Sequence, residues 1–257
     1  MCSGGAALQV RLARVFNAAK ITVLEGYGLT ETSPVIAVNN FEPDSIRFGT
    51  VGPVLKNVEV KIADDGEILM KGPNLMLGYY NRPDATAEVI DKEGWFHTGD
   101  IGTFVEGRFL KITDRKKEIF KTSGGKYIAP LMIENKLKES PFVEQALVFG
   151  EGQKFASALI VPAFAFLKDW CSKNNIAYST NEEMIQQPEI KKLLNAEVEK
   201  MNQSLAQYEK IKRPQYMSRE WSIEKGEMTP KLSLKRKVIL ETNKQIVEKV
   251  FASGNGI

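Results

Sequence analysis

The sequence predicts an α+β fold in two parts, and three observations carry that reading. The stretch "NVEVKIADDGEILMK" at 57–71 alternates Val58, Val60 and Ile62, turns at Asp64-Asp65-Gly66 and resumes with Ile68 and Met70 on the same face, which is the pattern of a β-hairpin. Between 189 and 212, Ile190, Leu193, Leu194, Val198, Met201, Leu205, Tyr208 and Ile211 recur in steps of three and four, which predicts one long amphipathic helix with its stripe on a core. The texture also changes near residue 114, from short strands and tight turns to helices mixed with strands. A chain of 257 residues is long enough for two domains of ordinary size.

Taken in order, the first 113 residues read as a small sheet or barrel. After the 57–71 hairpin comes a second one, "IGTFVEGRFLKI" at 101–112, with Glu106-Gly107 between two β-rich runs. From 115 to 257 the reading is a mixed α+β domain. "PLMIENKLKES" makes a short helix starting at Pro130, and "VEQALVFG" and "FASALIVP" make two strands around Glu151-Gly152. A helical insert occupies about 165–212. A strand-like "QYMSREWSI", a turn at Glu224 to Gly226 and a closing helix from about 237 to 251 complete the chain. There is no internal repeat and no low-complexity linker.

Bulk composition narrows the function classes. Hydrophobic residues make up 43% and charged residues 26%, the mix of a globular protein. A net charge of +3 is too small to argue for nucleic acid on its own. Cys2 and Cys171 are too few for a disulfide framework and suit a reducing cytosol. The single histidine, His97, removes His-rich metal sites and argues against a Ser-His-Asp triad. The apolar run "ALIVPAFAFL" at 158–167 is half the length of a membrane span, and "MCSGGAALQVRLARVF" lacks the apolar core of a signal peptide. The expectation is a cytoplasmic protein, with association to a membrane surface left open.

Two apparent phosphate loops fail on inspection. In "TSGGKY" Tyr127 stands where a magnesium-binding Ser or Thr belongs, and Phe120 replaces the leading glycine. "GEGQKF" at 150–155 lacks the third glycine of a dinucleotide fingerprint and reads as a hairpin turn. "EGYGLTETSP" at 25–34 supports two readings. Tyr27 offers a flat face, Gly26 and Gly28 permit close backbone approach, and Thr30 sets a hydroxyl beside the Glu31 carboxylate, as a nucleotide and its metal would require. Alternatively the stretch opens a helix, with Thr30 or Thr32 as N-cap and Pro34 in the first turn.

Four motifs follow in fixed order: "CSGGAAL" at 2–8, "GYGLTETSP" at 26–34, "GEILMKGPNLMLGYYNRPDATAEVIDKEGWFHTGDIG" at 66–102 and "GRFLKITDRKKEIFKTSGGKYIAP" at 107–130. Together they resemble the adenylate-forming, AMP-binding superfamily, specifically the long-chain fatty-acid CoA ligases (acyl-CoA synthetases). The resemblance implies ATP, Mg2+ and coenzyme A as cofactor and co-substrates: a carboxylate is condensed with ATP to an acyl-adenylate and pyrophosphate, and the acyl group then passes to a thiol. It also implies that residues 1–114 are the end of a large N-terminal domain and 115–257 a mobile C-terminal domain.

By matching motif, Tyr27 would stack on adenine, Gly4 and Gly5 would admit its edge beside Gly28, Thr30 would meet the α-phosphate and Glu31 would hold magnesium. Asp100 in "HTGD" matches the ribose-binding carboxylate and Arg115 in "TDRKKE" the arginine that meets ribose and phosphates. Without the family, Arg115, Lys116 and Lys117 would read as a solvated face, and His97 is assigned a structural or supporting place. Lys117 falls at the hinge about which the family's small domain swings, and Gly124 and Gly125 make the loop that would leave room for a pantetheine arm. The family's Ser/Thr/Gly-rich phosphate loop has no counterpart ahead of "SGGA", so the expectation is the C-terminal part of a longer ligase, inactive by itself.

In "EMTPKLSLKRK" at 227–237 the resemblance places a catalytic lysine where Ser233 stands. Lys231 and Lys235 each lie two residues away, and an extended segment would put both on the serine's face. Lys235 is preferred because "LKRK" is closest to the family pattern. An acyl-ACP ligase of the same superfamily would share these motifs. From another class, the tail with Lys231, Lys235, Arg236 and Lys237 suggests a basic module for anionic membranes or nucleic acid, against which Glu241 and Glu248 interrupt the charge and no aromatics interleave.

Overall fold

Antiparallel pairing, set by tight turns, builds most of the first half. The computed structural model describes residues 1–252, and the chain divides into two compact units, Met1–Glu118 and Ile119–Ile257. The division thus falls just beyond the change of texture at 114.

In the first unit β1 (Cys2–Ser3) lies parallel to β2 (Leu24–Gly28), and β2 pairs antiparallel with β3 (Val35–Val38). Helix α1 (Val10–Ala18) connects β1 to β2. A second, fully antiparallel sheet runs in the order β4 (Glu59–Ile62), β5 (Glu67–Lys71), β6 (Phe96–Val105), β7 (Phe109–Arg115), with helix α2 (Pro83–Val89) between β5 and β6. The first expected hairpin is β4–β5, with Val60 opposite Met70 and Ile62 opposite Ile68. The second is β6–β7, where Glu106 and Gly107 take φ of 52° and 66°, the left-handed conformations that a tight turn between twisted strands needs. Single bridges, Ala37 to Val54 and Pro53 to Phe109, connect β3 and β7 through the segment between β3 and β4.

Ile36, Ala37, Ile68, Met70, Phe96 and Leu110 form the core of this unit. Full burial of each of the larger side chains stabilises by about 1.5–3 kcal/mol. Strand β5 is central, and Glu67, Ile68, Leu69 and Met70 are all buried, so both of its faces are covered. Between β5 and β6 the register jumps: Glu67 faces Ile101 while Leu69 faces His97, which leaves Thr98, Gly99 and Asp100 as a bulge on β6.

The second unit begins with a short hairpin, β8 (Phe120–Lys121) and β9 (Tyr127–Ile128), followed by α3 (Pro130–Leu137). Its sheet pairs β10 (Val143–Phe149) antiparallel with β11 (Ser157–Pro162), and β12 (Gln215–Tyr216) adds parallel to β11. Both faces of β10 and β11 are covered. Val148 and Ile160 pack with Ile133 and Leu137 of α3 and Val198 of α6 (Pro188–Asn202). Leu147, Leu159 and Val161 pack with Leu167 and Cys171 of α4 (Phe164–Lys173), Met184 of α5 (Asn181–Gln186) and Ile239 of α7 (Arg236–Thr242). This explains "ALIVPAFAFL": it is a two-faced strand running into a helix.

Two helical expectations need correction. The 189–212 periodicity gives α6 only to Asn202; there the side chain takes over, with Nδ2 donating to Ile211 O at 3.0 Å and Oδ1 accepting from Ile211 N at 2.9 Å. Leu205 and Ile211 reach the same core from an irregular segment, and Tyr208 is 45% exposed. The closing helix is two, α7 and α8 (Lys244–Ala252), divided at Asn243, whose side chain donates to Ile239 O at 2.8 Å. "QYMSREWSI" contributes only the two residues of β12.

Candidate functional site

Tyr27 lies on β2, not in a loop, and the structure brings three of the anticipated residues into direct contact around it. The Tyr27 hydroxyl donates to Asp100 Oδ2 at 2.7 Å, and Arg115 Nε donates to Asp100 Oδ1 at 3.1 Å. Asp100 and Arg115 are cross-strand partners on β6 and β7, which fixes their spacing through the ladder. Asp100 is buried, whereas the Arg115 side chain is 65% exposed. Burial, and next the neighbouring Asp100 charge, push the Tyr27 phenol well above its ordinary value, so it stays a donor.

Gly4 sits beside this strand, since a Cβ there would come within 3.4 Å of Gly26 O. Gly28 has a stricter reason to be glycine: a Cβ would lie 1.6 Å from the Pro34 carbonyl oxygen. Neither Thr30 nor Thr32 is the N-cap of a helix, and Pro34 lies beyond the turn that forms here. Thr30–Thr32 is a single 3-10 turn ending at Ser33, φ 51°. Within it the two threonines separate in role. Thr32 is buried and donates to Pro34 O at 2.6 Å, while Thr30 is exposed. Glu31 accepts from the Tyr79 hydroxyl at 2.8 Å, and burial followed by that bond raises the Tyr79 phenol. No group of three or more His, Cys, Asp or Glu side chains converges as a metal cage among the described residues. A lone carboxylate such as Glu31 nevertheless fits Mg2+, which takes one or two carboxylates and completes its shell with water and substrate phosphates.

Sequence reasoning passed over Glu67. It is buried on β5, and its Oε2 accepts from Lys116 Nζ at 2.8 Å and meets His97 Nδ1 at 3.0 Å, while Oε1 accepts from Gly99 N at 3.0 Å. Burial favours the neutral acid, yet the Lys116, His97 and Gly99 contacts together hold the carboxyl below its ordinary value. Lys116 also pairs with Asp65 at 2.7 Å. Lys116 is therefore a cation paired with two carboxylates although its side chain is 47% exposed, and Lys117 beside it is exposed in the turn closed by Glu118 N to Arg115 O.

In the second unit Gly124 and Gly125 form the exposed turn between β8 and β9, where Gly125 takes φ 78°. The segment 227–235 is not extended. Thr229 N donates to Ser233 O at 2.8 Å, Leu232 N to Thr229 O at 2.9 Å, and Lys235 N to Glu227 O at 2.8 Å, with Leu232 at φ 61°. Pro230 and the left-handed Leu232 close a hairpin, so Lys231 sits at its tip and Lys235 at its base before α7, without a shared strand face. Arg236 leaves the basic surface: Nη1 donates to the buried Glu134 at 2.6 Å and Nη2 donates to Val148 O, while Glu134 also accepts from Val148 N at 2.7 Å.

Family models for the AMP-binding enzyme and for the AMP-binding enzyme C-terminal domain match residues 1–80 and 117–255. The chain belongs to the AMP-binding enzyme family. Among its relatives is the long-chain-fatty-acid–CoA ligase FadD15 of Mycobacterium bovis, 36% identical over 97% of this chain and 41% of that protein. The long-chain-fatty-acid–CoA ligase 6 of Homo sapiens is 33% identical over 90% of this chain and 35% of the relative. The crystal structure of the adenylation domain of a carboxylate reductase from Mycobacterium chelonae superposes with a TM-score of 0.75 at 22% identity, covering 98% of this chain and 38% of that one. This AMP-binding family chain thus spans well under half the length of those relatives and shares the family fold. No helix among the described residues is long and apolar enough to cross a membrane.

Proposed function

We propose that this chain supplies the ribose-side and thioester-side residues of an ATP-dependent long-chain fatty acid–CoA ligase. One observation supports this above the others: Asp100, a two-oxygen acceptor, is held between the donating phenol of Tyr27 and an arginine whose fork remains exposed. A carboxylate so fixed suits two vicinal hydroxyls, and an exposed guanidinium beside it suits phosphate. In this reading Tyr27 flanks the adenine with Gly4, Gly5 and Gly28, Thr30 binds the α-phosphate, and Glu31 holds Mg2+, which supplies charge compensation at the phosphates. Lys117 is the hinge, and Gly124 and Gly125 clear space for the pantetheine arm of coenzyme A. Lys235, anchored through its backbone to Glu227, is the adenylation lysine, with Lys231 the other candidate.

The test is carboxylate-dependent exchange of pyrophosphate into ATP, run in a protein of the relatives' full length that contains this chain. Asp100→Ala should abolish most exchange. Gly125→Leu should spare exchange and stop thioester formation. Lys235→Ala should slow exchange while sparing thiolysis of a supplied acyl-adenylate. Loss of the same half-reaction in all three would refute the separation of roles, and the Lys235 phenotype appearing in Lys231→Ala instead would move that role to Lys231.

A further inference from the structure

The ladder pairs Asp100 with Arg115, but Asp100 closes a bulge on β6, and the question is what holds that bulge in place against the end of β7. Arg115 is mostly exposed, so its own hydrogen bond to Asp100 is too weakly shielded to fix the geometry. The residues next to each are tied more firmly. Gly99, immediately before Asp100, donates its N–H to Glu67 Oε1 at 3.0 Å. Lys116, immediately after Arg115, donates its ammonium to Glu67 Oε2 at 2.8 Å. The two neighbours also meet directly, Lys116 N donating to Gly99 O at 2.8 Å.

We propose that Glu67 is a positioning residue that clamps the β6 bulge to the end of β7 and so sets the Asp100–Arg115 pair for the ribose and phosphates, with His97 orienting its carboxylate. The proposal rests on the nucleotide reading above. Glu67 is buried on the central strand β5, where side-chain rotation is restricted. His97 Nδ1 at 3.0 Å holds Oε2 from one side, and Asp65, whose Oδ1 accepts from Glu67 N at 3.1 Å, shares Lys116 from the other. Asp91 Oδ2 lies 3.8 Å from His97 Nε2, beyond hydrogen-bond reach, so the Nδ1 contact is the one that fixes the ring. This gives His97 and Lys116 a shared purpose that neither has as an isolated residue.

The test uses a protein of the relatives' full length that contains this chain, with AMP as probe, read by calorimetry beside thermal unfolding. Glu67→Gln, which keeps volume and removes charge, should leave the chain folded yet weaken AMP binding roughly tenfold or more, the scale of one charge-assisted hydrogen bond. Glu67→Asp should recover part of the loss. If Glu67 acts through Asp100, the Glu67→Gln/Asp100→Ala pair should bind AMP no worse than Asp100→Ala alone. Wild-type affinity in folded Glu67→Gln, or an additive double variant, overturns the proposal. AMP binding that is undetectable, or indifferent to Asp100→Ala, would refute the nucleotide reading instead. In that case amide hydrogen exchange at Lys116 N–H decides the clamp separately: faster exchange in Glu67→Gln supports it, and unchanged exchange refutes it.

Discussion

The Tyr27–Asp100–Arg115 cluster of the first unit and the candidate loops of the second are built on opposite plans. In the first, Tyr27, Asp100 and Arg115 project from paired strands and are braced by buried polar groups such as Glu67. In the second, Gly124, Gly125, Lys231 and Lys235 lie on exposed turns, and two ionic pairs flank the lysine hairpin: Arg236 with the buried Glu134, and the partly exposed Arg219 with the buried Glu227 at its base. In the first unit the buried carboxylate Glu67 ties together the strands that carry the cluster, and in the second the ionic pairs flank exposed turns.

The sharpest way to break this comparison is Arg236→Met. It strands Glu134 inside α3 against β10, and removing one partner of a buried pair costs about 3–5 kcal/mol. Denaturant unfolding of the second unit should show that loss; a change under about 1 kcal/mol would mean the pair does not hold the unit together. Gly28→Ala comes next, because its Cβ would overlap the Pro34 carbonyl, and a backbone shift there should cost more than about 2 kcal/mol, visible as a lower melting temperature.

Acidification should distinguish the loop roots. Arg219 holds the Glu227 carboxyl below its ordinary value of 4.5. A carboxylate depressed in the folded state contributes stability that is complete above the unfolded value and is lost as pH falls through the lower folded one. Unfolding midpoints measured from about pH 6 to 3 should therefore drop less in Glu227→Gln than in the wild-type chain. Arg115→Ala should lower stability by no more than about 1 kcal/mol, as for an exposed pair, while removing AMP binding; a large stability loss would contradict its assignment to ligand. Smallest of all, Gly124→Ala should change stability by less than about 0.5 kcal/mol, since a Cβ there meets nothing nearer than Thr122 Oγ1 at 4.0 Å.

Legibility followed the same division. The hairpins at 57–71 and 101–112 were readable because alternation and an Asp-Gly or Glu-Gly turn agree with each other locally. The motifs named Tyr27, Asp100 and Arg115, which the structure brings into contact, yet the Glu67 contacts beside them were invisible. A glutamate beside an alternating strand reads as solvent-facing, and only the central place of β5 buries Glu67. Periodicity overran α6 because Leu205 and Ile211 continue an apolar pattern that a side-chain hydrogen bond from Asn202 has already taken off the helix. The lysine segment misled for a related reason. Alternating Leu232 and Leu234 look extended, but Leu232 adopts a left-handed conformation that a non-glycine sequence does not announce.

The bulge at Thr98 to Asp100 has a consequence for how this region can change over generations. Ligand-contacting residues on surface loops tolerate insertions and deletions, because the flanking scaffold does not register their length. Asp100 lies inside a ladder, paired with Arg115 on one side and bounded by the Glu67–Ile101 and Leu69–His97 pairings on the other. Removing a single residue between 97 and 101 would leave two residues opposite Ile68 in place of three, and would shift Asp100 relative to Arg115 even if the Glu67–Ile101 pairing held. A change of length at this bulge therefore acts directly on the Asp100–Arg115 pair, whereas a side-chain exchange at constant length leaves the pairing of β5, β6 and β7 in place.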